Sequence, residues 1–134
     1  MKLLLDSDFL IALYKKDDSN HEKSNKILEQ IYNKENLVLL ELVVQESSTV
    51  ISKRIGMKDT KIFYKSILKI ANQVIPPEDS LLKKSWEIFL KQTKKGTSFV
   101  DCANLAAIEK YKLDGIVSFD KFYPLDKNFT SRYK

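Results

Sequence analysis

The sequence is short of the residues that build disulfide frameworks, histidine chemistry and glycine-rich phosphate loops. Its 134 residues include one cysteine, one histidine, three glycines and three prolines. Cys102 cannot close an internal disulfide, which points to a reducing, cytoplasmic setting. It lies among small apolar residues, where a free thiol packs as a small hydrophobe. With only His21 and Cys102 available, zinc lacks its usual nitrogen and sulfur ligands. His21 stands in a polar helix start, which argues against histidine acid–base catalysis. No G-x-S-x-G elbow, Walker loop or dinucleotide glycine fingerprint occurs. No run approaches the roughly 18 apolar residues that suggest a membrane span. The opening Met1 to Leu5 imitates a signal peptide only until Asp6 and Asp8 interrupt it.

What remains is an ordinary globular composition, 43% hydrophobic and 31% charged, of a length suited to one domain over residues 1–134. Scarce glycine and proline favour regular elements joined by short loops. The net charge of +5 hints at a polyanionic partner. Basic pairs such as Lys15-Lys16, Lys53-Arg54, Lys83-Lys84 and Lys94-Lys95 are scattered, and any one of them can be plain solvated surface.

Leu3 to Leu5 is an apolar run too short for a helix and reads as a buried strand. Phe9 to Leu13 predicts a short helix, and Lys15 to Asn20 a loop. From His21 to Asn33, Ile27, Leu28, Ile31 and Tyr32 share one helical stripe. Leu37 to Leu40 is a second buried strand. A helix over Val43 to Arg54 ends at Gly56 as a C-cap, and Asp59 can cap the next helix. Val74-Ile75 is extended because it precedes Pro76-Pro77. Ser80 to Thr93 forms a helix with Leu81, Leu82, Ser85, Trp86 and Phe89 inward. Thr97 or Ser98 caps a helix from Phe99 to Lys112, followed by a strand from Ile116 to Phe119, a turn at Phe122-Tyr123, and an edge strand near Phe129. This alternation predicts an α/β fold, three-layered, with a central parallel sheet covered on both faces.

In such sheets ligands bind beyond the carboxyl ends of the strands. Asp6 follows the first strand and Asp120 the last, while Glu46 and Asp101 fall in the first turns of two predicted helices. Two like charges about 4 Å apart repel by roughly 4 kcal/mol at an effective dielectric near 20. A cluster of these four acids therefore needs protonation or a cation. Carboxylates suit hard Mg2+ or Mn2+, and the chemistry best matched is metal-assisted attack on a phosphoryl centre. Taken singly, each acid also has an ordinary explanation: Asp6, Asp8 or Asp120 as a cap, Glu46 as a solvated residue, Asp101 as a first-turn acid favoured by the helix dipole.

Taken together, Leu4-Leu5-Asp6-Ser7-Asp8-Phe9-Leu10, Val43-Val44-Gln45-Glu46, Ser98-Phe99-Val100-Asp101-Cys102 and Ser118-Phe119-Asp120-Lys121-Phe122 resemble, in order, the four motifs of the PIN-domain family. The small VapC-type ribonuclease toxins are its nearest likeness. The resemblance implies a sheet of four or five parallel strands and a metal-dependent endoribonuclease with Asp6, Glu46, Asp101 and Asp120 as metal-site acids. It also implies that Ser7, Ser98 and Ser118 orient them, and that the partners are an RNA substrate, a cognate antitoxin protein and a second copy in a homodimer, with no membrane. Asp6 and Asp101 would bind one Mg2+ or Mn2+, Glu46 and Asp120 would complete the shell, and water would attack the RNA to leave a 5′-phosphate. Lys94, Lys95 or Lys121 would hold the backbone at the rim.

Two features depart from the pattern. Asp8 stands where Asn is commoner, as either a supporting ligand or a helix cap. Glu41, at the predicted strand end, rivals Glu46, which the helix phase favours. The alternative functions are a phospho-accepting signalling domain, disfavoured because the Val74-Ile75 strand lacks an aspartate, and a catalytically silent PIN-like binding module.

Overall fold

The computed structural model describes all 134 residues. Four strands, β1 (Lys2–Leu5), β2 (Asn36–Leu40), β3 (Gln73–Ile75) and β4 (Gly115–Val117), form one parallel sheet in the order β3-β2-β1-β4. Between them run α1 (Ser7–Tyr14), α2 (His21–Ile31), α3 (Glu41–Arg54), α4 (Met57–Ile70), α5 (Asp79–Leu90) and α6 (Phe99–Lys110). The chain steps from β1 through β2 to β3, then returns to lay β4 on the other side of β1. Right-handed crossovers therefore put α1 to α4 on one face and α5 and α6 on the other. The reversal makes the carboxyl ends of β1 and β4 the natural site for a crevice.

The strands read as continuous apolar runs because both faces are covered: Leu3 to Leu5 and Leu37 to Leu40 are all buried. Phe9, Ile27, Ile31, Ile51 and Phe63 pack against one face and Ala103, Ala106 and Ala107 against the other. Small residues on α6 let that helix approach closely. Ser24, Ser47 and Ser85 are fully buried and return their hydroxyls to carbonyls one turn earlier. Hydroxyls satisfied in this way can occupy a core position.

Several boundaries differ from expectation. The last strand ends at Val117, so Ser118, Phe119 and Asp120 lie beyond the sheet. The edge strand at Phe129 reduces to a single parallel bridge between Ile116 and Asn128 and a short turn at Thr130–Arg132. Helix α3 begins at Glu41, which places Glu46 in its second turn. Gly56, at φ 126°, closes α3 by donating its N–H to Ile51 and also stands before the first residue of α4. Asp59 is not the cap; it accepts the Tyr14 hydroxyl at 2.7 Å. Trp86, expected inward, is half exposed, meeting Phe89 edge to face and Phe99 at a tilt. No helix is long and apolar enough to cross a membrane.

Gly115 opens β4 where the Lys127 carbonyl and the Phe129 ring close over it, the ring 2.9 Å from where a Cβ would stand. Gly115→Ala is expected to destabilise by about 1–3 kcal/mol, the usual cost of an extra carbon in a packed interior. Urea unfolding measures this, with the midpoint falling and the slope unchanged.

Candidate functional site

Strand pairing builds the floor of the crevice. Leu5 pairs with Val117, and the Asp6 N–H continues the ladder to the Val117 carbonyl at 3.1 Å. Just past this point Asp6 turns into α1 as its N-cap, accepting the Ser7 N–H at 2.8 Å. Its other oxygen takes the Ser118 hydroxyl at 2.7 Å. One residue thus caps a helix and offers a carboxylate 2% exposed at the base of a cleft. Ser98 caps α6 and accepts the Asp101 N–H at 3.3 Å, which sets Asp101 in the first turn.

These pieces line a cleft of about 400 Å3, walled by Asp6, Ser7, Asp8, Asp18, Glu46, Ser98, Asp101 and Asp120 together with Arg54. The structure brings together all four acids singled out by sequence. Glu46 reaches the cleft from the second turn of α3, whereas Glu41 is not among its lining residues. Ser7 and Ser98 also line it, and Ser118 lies beneath, bonded to Asp6. Asp8 accepts the Phe119 N–H at 3.1 Å and so ties α1 to the segment after β4. Asp120 accepts the Phe122 N–H at 2.9 Å, which gives it the turn-capping role as well as a place in the cleft. Lys94 and Lys95 line a small side cavity that shares Ser98, Asp101 and Asp120 with the cleft, and Lys121 is exposed nearby.

Sequence reasoning missed three participants. Asp18 lines the cleft from the loop after α1, where it also takes the Asn20 N–H at 2.8 Å. Asn104, wholly buried on α6, donates to Asp6 at 3.2 Å and to the Tyr123 hydroxyl at 3.0 Å. Tyr123, 3% exposed, donates in turn to Asp101 at 3.0 Å. A polar amide within the alanine-rich run of α6 was the available signal.

The electrostatics follow from crowding. Burial first, then Glu46 among the charges, raises Asp6 to about 6 from an ordinary 3.8, although the Ser118 and Ser7 bonds oppose it. Burial and then the Asp6 charge lift Asp8 to about 7. Burial, then Asp6 and Asp120, lift Asp101 to about 8. Burial and the adjoining acids push the Tyr123 phenol far above its usual range, so it remains a donor. The ion pairs in the molecule are Met1–Glu35, Lys15–Asp17 and Lys84–Glu109, none of them in the cleft. Six carboxylates thus face one guanidinium, that of Arg54, without an ion pair to it.

Does this donor set fit a divalent cation? The donors are carboxylate and hydroxyl oxygens, the ligands that hard cations prefer. The Ser7 hydroxyl, 6% exposed, has no hydrogen-bond partner and lies at the cleft wall. No three acidic, histidine or cysteine side chains already converge into a metal cage. The residues therefore fit in chemistry and charge, with carboxylates that must draw inward around the ion.

A PIN domain family model matches residues 3–124, a span holding every acid of the cleft and all four strands but for Lys2. Among solved structures, VapC20 of Mycobacterium tuberculosis, described as a sarcin–ricin loop cleaving toxin, superposes with a TM-score of 0.80. It is 19% identical, and the match covers 90% of this chain and 91% of that one. VapBC2 of Rickettsia felis, solved on a DNA fragment from its promoter, gives 0.68 at 13% identity, covering 99% of this chain and 93% of the other. At such identities the likeness is one of fold. Among curated proteins, the co-chaperone HscB of Buchnera aphidicola subsp. Acyrthosiphon pisum (strains Tuc7 and 5A) is 32% identical over 92 residues, 67% of this chain and 51% of the relative. The chain spans about half the length of the curated relatives it matches.

Proposed function

Because this chain belongs to the PIN domain family, we propose that it is a divalent-metal-dependent endoribonuclease and the toxin of a toxin–antitoxin pair. The observation that carries the reading is the cleft itself, where six carboxylates meet at a strand-end crevice with no ion pair to neutralise them. The fold shared with a protein described as a sarcin–ricin loop cleaving toxin, and with VapBC2 described as bound to a promoter DNA fragment, supports the same reading. In this reading the partners are RNA, a cognate antitoxin and a second copy of the chain.

Asp6, Glu46, Asp101 and Asp120 would hold Mg2+ or Mn2+, which when bound supplies positive charge to polarise the phosphodiester and acidify water. The chain's own residues do the rest. Ser118 and Ser7 fix Asp6 at the base of the cleft. Glu46 and Asp120 stand on its more open side, where each can accept a hydrogen bond from a water and aim it at phosphorus. Arg54 faces the same space and can hold a phosphate oxygen of the bound strand. The new P–O bond forms to water, the bond to the 3′ oxygen breaks, and the products carry a 5′-phosphate and a 3′-hydroxyl. In this reading water, held at the open-side carboxylates Glu46 and Asp120, is the nucleophile in place of the ribose 2′-hydroxyl.

The test is cleavage of RNA with Mg2+, Mn2+ or chelator, using wild type, Glu46→Gln and Glu41→Gln. Cleavage is expected in wild type and Glu41→Gln with metal, and not in Glu46→Gln or with chelator. Activity that survives chelation removes the metal from the mechanism. Loss confined to Glu41→Gln transfers the role to that residue.

A further inference from the structure

Asn104 occupies a position that packing alone would fill with an apolar side chain. Helix α6 buries Cys102, Ala103, Ala106, Ala107 and Ile108 around it, and Asn104 is the one amide on that face. A buried amide without partners is costly, so its bonds identify its purpose. Its nitrogen donates both protons, one to Asp6 at 3.2 Å and one to the Tyr123 hydroxyl at 3.0 Å. The Tyr123 proton then goes to Asp101 at 3.0 Å. With Asp6 and Asp101 ionised, donors and acceptors close without conflict in this order. Turning the amide over would set its carbonyl against the Asp6 carboxylate, and the unturned amide leaves its own buried oxygen unpaired. Satisfaction of Asp6 outranks satisfaction of Asn104.

The chain Asp6–Asn104–Tyr123–Asp101 joins the end of β1, the interior of α6 and the segment after β4. It links two carboxylates that repel one another through side chains buried beneath the cleft. We propose that Asn104 and Tyr123 are positioning residues, a buried hydrogen-bond relay that fixes Asp6 and Asp101 relative to each other and thereby sets the divalent-cation affinity of the cleft. This rests on the metal-dependent reading above, and concerns residues that would touch neither cation nor RNA. Groups that orient ligands from behind typically change metal affinity or activity by about 10-fold to 100-fold when removed.

The experiment compares wild type, Tyr123→Phe, Asn104→Leu, the double variant and Tyr14→Phe. Mn2+ binding is followed by calorimetry without RNA, beside thermal melting and the kcat and KM of RNA cleavage. Tyr14→Phe removes a tyrosine–aspartate bond of 2.7 Å that lies outside the relay and controls for simple stability loss. Tyr123→Phe and Asn104→Leu should each weaken Mn2+ binding by roughly 10-fold to 100-fold, with kcat falling and KM for RNA unchanged. The double variant should be little worse than either single one, as for residues acting as a unit. Tyr14→Phe should bind Mn2+ as wild type does. If Tyr123→Phe melts earlier but keeps wild-type Mn2+ affinity, the relay is only structural and the proposal falls. Loss of Asn104→Leu to misfolding would leave this test intact, because Tyr123→Phe deletes a single oxygen and decides alone. Wild type that binds Mn2+ and leaves RNA intact overturns the nuclease reading while the relay stands on affinity. Wild type that binds no Mn2+ overturns both.

Discussion

Asp101→Asn is expected to lower RNA cleavage by on the order of a hundredfold to a thousandfold, the scale for removing one preorganised charge from a reaction centre. The same change should leave the protein as stable as wild type or more so. Asp101 is held near Asp6 and Asp120, and burial together with those acids raises it to about 8. An amide keeps the shape, still accepts the Tyr123 hydroxyl through its oxygen, and removes a carboxyl that burial and its neighbours penalise when ionised. Loss of activity coupled to unchanged or higher Tm is the mark of a site whose charge serves chemistry at the expense of the fold. Single-turnover cleavage of labelled RNA and a melting curve measure both halves. Cleavage retained in the variant, or a Tm that collapses with it, would show Asp101 to be part of the scaffold instead.

The acids were legible because they mark transitions. Leu3 to Leu5 and Leu37 to Leu40 are apolar runs too short for helices, so a polar residue at their ends falls at the sheet's rim, and Asp6 does. Parallel order followed from alternating strands and helices, and the sheet's order β3-β2-β1-β4 then puts the reversal beside β1. What was less legible depends on contacts distant in sequence. Helix α3 starts at Glu41 directly from β2, so the turn count to Glu46 could not be read from apolar spacing, although its presence at the cleft agrees with the helix phase. Asp59 looks like a cap in sequence because nothing there reveals that Tyr14, 45 positions earlier, lies across from it. The Phe129 segment is short, and the Lys127 and Phe129 backbone groups pair with Ile116 at one point only. Asn104 and Tyr123 belong to no acidic motif, so the sequence does not single them out. Their role appears only when α6 and the segment after β4 are brought together over Asp6.

Metal-free protein should lose stability as pH rises from 5 to 8, and a divalent cation should reverse the trend. In the unfolded chain these aspartates titrate near 3.8, whereas in the folded chain Asp6 is raised to about 6, Asp8 to about 7 and Asp101 to about 8. Between those limits the folded state holds protons that the unfolded state has released. Stability is therefore greatest below the unfolded value and declines until pH passes the folded values. Asp6, the most buried of the three, alone accounts for about 1 kcal/mol between pH 5 and 8, at 1.36 kcal/mol for each unit of pKa difference. Asp8 and Asp101 add to it with solvent screening, and the three titrate as a coupled set. The summed effect is a fall in Tm of roughly 5–10 °C for a chain of this size. General charge repulsion works the other way, since a protein of pI about 9.2 sheds net charge over the same range. Mn2+ binds the ionised carboxylates and must displace their protons, so it should raise Tm at pH 8 and do little at pH 5. Melting curves in chelator and in Mn2+ at the two pH values distinguish these cases. A Tm that climbs with pH in chelator would mean that the carboxylates are solvated apart in solution, leaving no crowded charge for a cation to relieve.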